Sequence, residues 1–399
     1  MSLDRGRHYL AIPGPSVVPD RVLSAMHRPA PNIYSGEILE LVQGLIPDLK
    51  AVARTRHNAA IYISNGHGAW EAALSNTLSR GDRVLVLATG LFGLGWAEIA
   101  RRLGAEVEII EFDKHSDIDP VRVEQALAGD SAHRIRAVMV VHVDTSTSVR
   151  NDIRMVRRLM DAAGHPALLM VDCIASLACD RFEMDAWGVD VMVAASQKGL
   201  MTPPGVGFVF FNDKADAARE NADCVTSYWD WRPRANPQDF YQYFGGTAPT
   251  HHLFALREAL TMLLHEEGLN AVWDRHALLA RAIWAAFDCW SQGGAAELNI
   301  PDPDKRSHAV TAVYIGAPEG TALRDWLSAR AGVTLGIGLG MAPAGDPAWH
   351  GYFRIGHMGH VNAHMIMGVL GTIEAGMDAL GIAYGPGGLS AAARVIARA

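Results

Sequence analysis

Seven short runs along the first half of the chain are apolar on most or all successive positions: residues 59–64 (AAIYIS), 83–88 (RVLVLA), 106–112 (EVEIIEF), 136–143 (RAVMVVHV), 167–172 (ALLMVD), 189–195 (VDVMVAA) and 206–211 (VGFVFF). Several have no polar face, the pattern of strands covered by helices on both sides. Segments with helical spacing lie between the earlier ones, at about 67–80, 91–103, 119–128 and 151–163. Alternating strands and helices predict βαβ units and a mostly parallel sheet. The last two runs are joined by a short turn through Pro203, Pro204 and Gly205, which favours an antiparallel pair and so a mixed sheet. Ahead of the sheet, Ile38, Leu41, Val42, Leu45, Leu49 and Val52 have helical spacing, with Pro47 expected to kink that helix or divide it in two.

The pattern changes after residue 214. Residues 223–250, rich in aromatics, Pro, Gly and Thr, read as a long irregular segment of the kind that usually has a function. Helical spacing returns at about 251–267 and 273–290, and the Gly-, Asn- and Pro-containing run 292–304 reads as a boundary. Beyond it, 308–315 and 351–355 read as strands and 321–331 and 361–380 as helices, a smaller α+β unit. The tail, YGPGGLSAAARVIARA, holds a Gly/Pro break and then a short helix.

Composition narrows the class. With 49% apolar and 20% charged residues, the 399-residue chain is neither collagen-like, coiled coil nor globally disordered. A formal charge of −8 without a basic run argues against nucleic-acid and membrane-surface partners. Cys173, Cys179, Cys224 and Cys289 match neither a redox pair nor a zinc pattern, and scattered thiols fit a reducing compartment. No apolar stretch reaches the roughly 18 residues of a membrane span, and MSLDRGRHYLAIPGPS has no signal-peptide core. A cytoplasmic protein is expected.

The segment ASQKGLMTPPG places Lys198 just beyond a nearly uniform apolar strand. Burying an unpaired ammonium costs several kcal/mol, roughly speaking, and a Schiff base is one chemical reason for an amine there. A snorkelling surface lysine is the other reading. Asp172 ends an earlier strand, where carboxylates of α/β sheets face the ligand crevice; alone, it reads equally as a loop or capping carboxylate. Together the two suit pyridoxal 5'-phosphate, which needs a lysine for the imine and an anion beside its ring nitrogen. Between a strand and a helix, Ser64-Asn65-Gly66-His67-Gly68-Ala69 opens backbone N–H groups for a phosphate without being a P-loop or a dinucleotide fingerprint.

These segments, in the order SNGHGAWEAAL, HVDTSTSV, VDCIAS, ASQKGLMTPPG, YFGGTAPTHHLFALREAL and FRIGHMG, resemble the class V aminotransferases of fold type I. Within that family the likeness is to the alanine–glyoxylate and serine–glyoxylate enzymes, and it runs from Pro13 to the Arg354 strand. The resemblance implies an α/β fold: a large cofactor-binding domain (21–290) with a mostly parallel, mixed seven-stranded sheet, and a smaller C-terminal α+β domain (291–399) with which residues 1–20 associate. It implies Lys198 as the cofactor-bound amine and proton shuttle, Asp172 as partner of the pyridine nitrogen, and Gly66, His67 and Gln197 as phosphate contacts. Thr145 falls near the phenolic oxygen, and Phe92 takes the place of the aromatic that stacks on the ring. Thr247 matches a phosphate ligand donated by the neighbouring subunit, so the active site lies at a homodimer interface. Arg354 matches the arginine that grips the substrate carboxylate, for which a planar fork is suited.

Two positions depart from the family pattern: Phe244 stands where relatives often carry tyrosine, and Ser148 where they usually carry glycine. The implied reaction is ping-pong amino transfer from a small amino acid of serine or alanine type to glyoxylate or pyruvate. A lyase of the cysteine desulfurase or kynureninase type on the same cofactor is the alternative, with Cys224 the one conceivable acceptor thiol. A nucleotide-binding α/β protein with an incidental lysine is a third reading. Four features stay open: His357 and His360 as metal ligands, against packing, with no metal expected; His251 and His252 as caps or interface residues; Trp229 and Trp231 as core or as substrate contacts; and Asp144 as structural or as orienting water near the imine.

Overall fold

In a computed structural model, which describes residues 3–294, 296–343 and 345–398, all seven apolar runs form strands of one sheet. Their spatial order is Asn58–Tyr62, Gly207–Phe211, Val191–Ala195, Leu168–Asp172, Ile135–Val141, Arg83–Ala88 and Glu106–Glu111. Gly207–Phe211 is antiparallel to both its neighbours and the remaining pairs are parallel, as the short Pro-Pro-Gly turn predicts. Helices cover both faces of the sheet, and a strand such as Leu168–Asp172 is buried at every residue. The carboxyl ends of the parallel strands all open to one side, which is where crevices form in such sheets.

The helix Glu37–Ala53 runs through Pro47 without division. Ile38, Val42, Leu45, Leu49 and Val52 stay buried on both sides of the exposed proline, so packing of one continuous apolar face outweighs the lost hydrogen bond. The 223–250 segment is not irregular throughout: it contains the short helix Trp231–Ala235 and a 3-10 turn Phe240–Phe244. Trp231 is buried and stacks on Phe211 with centroids 4.1 Å apart, which makes it a core residue and not a substrate contact. Its neighbour Arg234 is also buried; its guanidinium sits over the Tyr62 ring and donates to the carbonyls of Tyr228, Ile61 and Tyr243.

A second sheet has the order Tyr9–Ala11, Val333–Ile337, Tyr352–Gly356, Val310–Tyr314 and Glu297–Leu298. Its edge strand comes from the start of the chain and lies parallel to Val333–Ile337. The helices Glu319–Trp326, Ala363–Leu380 and Gly388–Ile396 pack around it. The helix Leu269–Trp290 serves both cores: Leu269, Val272 and Trp273 join the large-sheet core, whereas Leu279 through Trp290 join the small-sheet core.

A buried carboxylate ties the two sheets together. Asp180, on the loop after Leu168–Asp172, accepts from the Ser307 hydroxyl at 2.9 Å and the His308 N–H at 3.0 Å, just before Val310–Tyr314 begins. Arg150 Nη1 lies 3.6 Å and His308 Nδ1 3.2 Å from it. Burial alone would raise this carboxyl; the His308 ring when protonated, Arg150 and the His308 N–H outweigh that and hold it below its ordinary value.

Candidate active site

Five connections at the carboxyl end of the large sheet enclose a cavity of about 210 Å³. Asp172 is the last residue of its strand, Lys198 follows Val191–Ala195, and the helices Gly66–Ser75 and Leu91–Arg102 start directly beyond their strands. Asp172, Lys198, Gly66, His67, Gln197, Thr145 and Phe92 all line this one cavity, so the structure brings together seven of the nine residues expected from the sequence. A larger cleft of about 980 Å³ between the N-terminal segment and the helix Ala363–Leu380 contains none of them.

Asp172 accepts from the Trp70 indole N–H at 2.9 Å and from the Ile174 N–H at 2.6 Å. Burial pushes its carboxyl up to about 7, and those two donors offset only part of the shift. The carboxylate therefore waits for a cation in the cavity. Lys198 is partly buried, and its Nζ donates to the Pro13 carbonyl. Burial, reinforced by the nearby Arg354 charge, brings the amine down to about 8. The N-terminal segment also holds the lysine's backbone: the Ser16 hydroxyl donates to the Lys198 carbonyl at 2.7 Å.

At the start of Gly66–Ser75, Asn65 caps the helix by accepting from the His67 N–H at 3.1 Å and the Gly68 N–H at 3.3 Å. Two amides that the sequence reading leaves open for phosphate are thus shared with a side chain. A Cβ on Gly66 would lie 2.4 Å from the end of the Ile174 side chain, which would have to shift. Gln197 Oε1 is buried without a hydrogen-bond partner. A carboxylate for a ring cation, an amine for an aldehyde, a helix start and an orphaned amide form a donor set that fits pyridoxal 5'-phosphate.

Arg354 and Thr247 lie outside the cavity lining. Arg354 is buried in the small sheet, where Nε donates to the Ile337 carbonyl and Nη1 to the Thr145 carbonyl, each at 2.7 Å. Nη2 takes part in neither bond. Burial lowers this guanidinium to about 10. Thr247 is exposed on the connection before the helix Thr250–Leu260. Phe244 is fully buried against Phe240 and Tyr243 and so does not face the cavity. Ser148 adopts φ 65°, a left-handed conformation that explains the preference for glycine there.

Other open features resolve. The carboxylate of Asp144 caps the helix Leu91–Arg102 instead of facing the cavity, so it does not orient water near an imine. His357 is buried; Nδ1 contacts the His308 carbonyl and Nε2 the Thr311 hydroxyl, both at 2.9 Å, which leaves it no capacity for a metal. Among the described residues no cluster of three or more His, Cys, Asp or Glu could hold a metal ion. The Cys224 thiol lies at the Leu103 carbonyl, outside the cavity, where burial raises it to about 11. Trp229 reaches the helix start beside Gly68. Sequence reasoning missed Trp70, whose signal is an indole N–H one helical turn beyond Gly66, facing a strand-end carboxylate.

The chain belongs to the aminotransferase class-V family, whose model matches residues 8–352. Among individual proteins, it is 38% identical over 397 residues to the serine–glyoxylate aminotransferase of Methylorubrum extorquens, covering 97% of this chain and 95% of that one. It is 34% identical over 377 residues to the L-aspartate–glyoxylate aminotransferase of Paracoccus denitrificans, covering 93% and 91%. The crystal structure of pyridoxamine–pyruvate aminotransferase from Mesorhizobium loti superposes with a TM-score of 0.88 at 25% identity over the full length of both chains.

Proposed function

We propose that this aminotransferase uses pyridoxal 5'-phosphate to move an amino group from a small amino acid, of serine or alanine type, to glyoxylate or pyruvate in a ping-pong cycle. The observation that carries the reading is the pairing in one cavity of Lys198, an amine brought down to about 8, with Asp172, a buried carboxylate whose partners are two neutral donors. The cofactor, when bound, supplies an aldehyde for the amine and a ring that accepts an electron pair. Lys198 Nζ takes the proton from the donor's α-carbon and returns it, a role that an amine titrating near operating pH fills well. Asp172 keeps the ring nitrogen protonated by pairing its charge. Gly66, His67 and Gln197 hold the phosphate, Thr145 meets the phenolic oxygen, and the Phe92 ring covers one face. Arg354 grips the substrate carboxylate through its fork and so orients the α C–H bond.

Thr247 fits a phosphate contact given to the neighbouring subunit, because it is exposed and outside its own chain's cavity. That supports a homodimer with the active site at the subunit interface. The two sheets and their cores support a division into residues 21–290 and 291–399, with 1–20 joined to the smaller unit and the helix Leu269–Trp290 as the bridge. Four free cysteines support a cytoplasmic setting, and no helix among the described residues is long and apolar enough to cross a membrane.

Borohydride reduction of the holoenzyme, then peptide mass mapping, should fix the cofactor on the peptide containing Lys198. Single turnovers with serine, alanine and aspartate should convert the cofactor to its amine form and release one keto acid per site. Labelling elsewhere would end this reading; conversion of cysteine or kynurenine to alanine with the aldehyde regenerated would establish the lyase instead.

A further inference from the structure

The helix Leu91–Arg102 starts without a cap of its own, because the residue before it is Gly90. Its first amides are satisfied from the loop that carries Thr145. Asp144 Oδ2 accepts from the Phe92 N–H at 2.9 Å and the Gly93 N–H at 3.3 Å, and Ser146 Oγ accepts from the Leu91 N–H at 3.0 Å. The other carboxylate oxygen binds the Ser146 N–H at 3.0 Å and the Ser146 hydroxyl at 2.5 Å. Asp144 is fully buried, so these bonds act without competition from water, and they offset part of the rise that burial imposes on its carboxyl. The helix start also favours an anion. The space is reserved for them: a Cβ on Gly90 would lie 2.5 Å from the Asp144 carboxylate and 2.6 Å from Ser146 Oγ.

A cap taken from the residue just before the helix would hold that helix alone. A cap from another loop fixes the distance between the two, and here each end carries a residue of the cavity. Phe92 donates its N–H to Asp144 and lines one side. Thr145, between Asp144 and Ser146, lines the cavity, while its carbonyl holds Arg354 Nη1 at 2.7 Å.

We propose that Asp144, together with Ser146, is a positioning residue for transamination: one buried carboxylate sets Phe92 against the cofactor ring and, through the Thr145 carbonyl, Arg354 at the substrate carboxylate. It touches neither substrate nor cofactor. This inference rests on the function proposed above.

The test uses Asp144→Asn and Ser146→Ala, with Leu45→Ala as a control that opens a cavity in the large core, outside the site. Asp144→Asn turns an amide N–H toward other N–H groups. With bound cofactor at wild-type stoichiometry, its visible circular dichroism per cofactor should fall, and KM for the amino donor should rise about tenfold or more, the usual cost of misplacing a reacting group. Ser146→Ala should move both readouts the same way by less. In the cofactor-free proteins, the Phe92 and Gly93 amides should exchange hydrogen faster in both variants. Leu45→Ala should lower the melting temperature and leave the dichroism and KM unchanged. An active wild type beside an Asp144→Asn variant with unaltered KM and dichroism overturns the proposal. If Asp144→Asn does not fold, Ser146→Ala decides, and indistinguishable behaviour from Leu45→Ala overturns it. A wild type that turns over no amino donor defeats the functional reading instead, and amide exchange still reports whether the clasp holds.

Discussion

Asp172 ends a strand and Asp180 lies eight residues further along, on the loop that follows; both are buried, and their environments drive them in opposite directions. Asp180 sits at the junction of the two sheets with Arg150, His308 and Ser307 around it, so it is held as a carboxylate. Asp172 sits at the cavity with an indole and a backbone amide, two neutral donors, and burial raises it to about 7. Burial raises both; the groups around Asp180 outweigh it, whereas two neutral donors and the Lys198 charge offset it only in part at Asp172. A carboxylate completed by the protein serves structure, whereas one left incomplete awaits a charge from a ligand. The same reasoning separates the two tasks that a strand-end aspartate can have.

The largest effect should come from Asp172→Asn, which removes the ligand's counter-charge: kcat should fall about 10³-fold, while the cofactor-free protein unfolds within about 1 kcal/mol of wild type. Asp180→Asn should invert that result. It leaves the Ser307 hydroxyl, the His308 N–H and Arg150 facing a neutral amide and should cost about 2 kcal/mol in urea unfolding, with kcat per bound cofactor unchanged. A variant of either kind that lost stability and turnover together would erase the distinction.

The pH dependence sharpens it. A carboxyl raised in the folded state favours folding below its ordinary value, and that contribution is lost as pH rises toward and through about 7. The cofactor-free wild type should lose roughly 2 kcal/mol of stability between pH 5.5 and 7.5 that Asp172→Asn keeps. Asp180, held low, gives stability that is full above the ordinary carboxylate value and lost only as pH falls through its depressed value, below this window. Lys198, lowered to about 8, adds stability only as pH climbs from there toward its ordinary value. Parallel slopes for wild type and Asp172→Asn would contradict the assignment. The smallest change should be that of Trp70→Phe, which removes one donor to Asp172 and should lower kcat about fivefold, or about 1 kcal/mol.

How much of this was legible follows from what each element depends on. The seven strands of the large sheet announce themselves because burial on both faces leaves nearly unbroken apolar runs. Tyr9–Ala11, Glu297–Leu298 and Val333–Ile337 do not, being short or glycine-containing, with their conformation set by pairing partners far away in the chain. At Glu37–Ala53 the division that Pro47 allows does not occur, because tertiary packing carries the helix through it. At the site, the Lys198, Asp172 and Gly66 segments are readable as chemistry because each residue type is unusual at its position. The donors that tune them are not: Trp70 reads as an ordinary helical residue, and Asp144 as a loop carboxylate with two readings. Their roles depend on distances between elements, which no local pattern contains.

The small sheet's edge comes from residues near the beginning of the chain, and the same segment reaches Lys198 through Pro13 and Ser16. During synthesis those residues leave the ribosome more than three hundred residues ahead of their pairing partner at Val333–Ile337. The amine's housing is thus among the last parts to close, long after the strands on either side of it can pair. A nascent chain stalled before that point would carry both Asp172 and Lys198 and still lack the wall that shelters them.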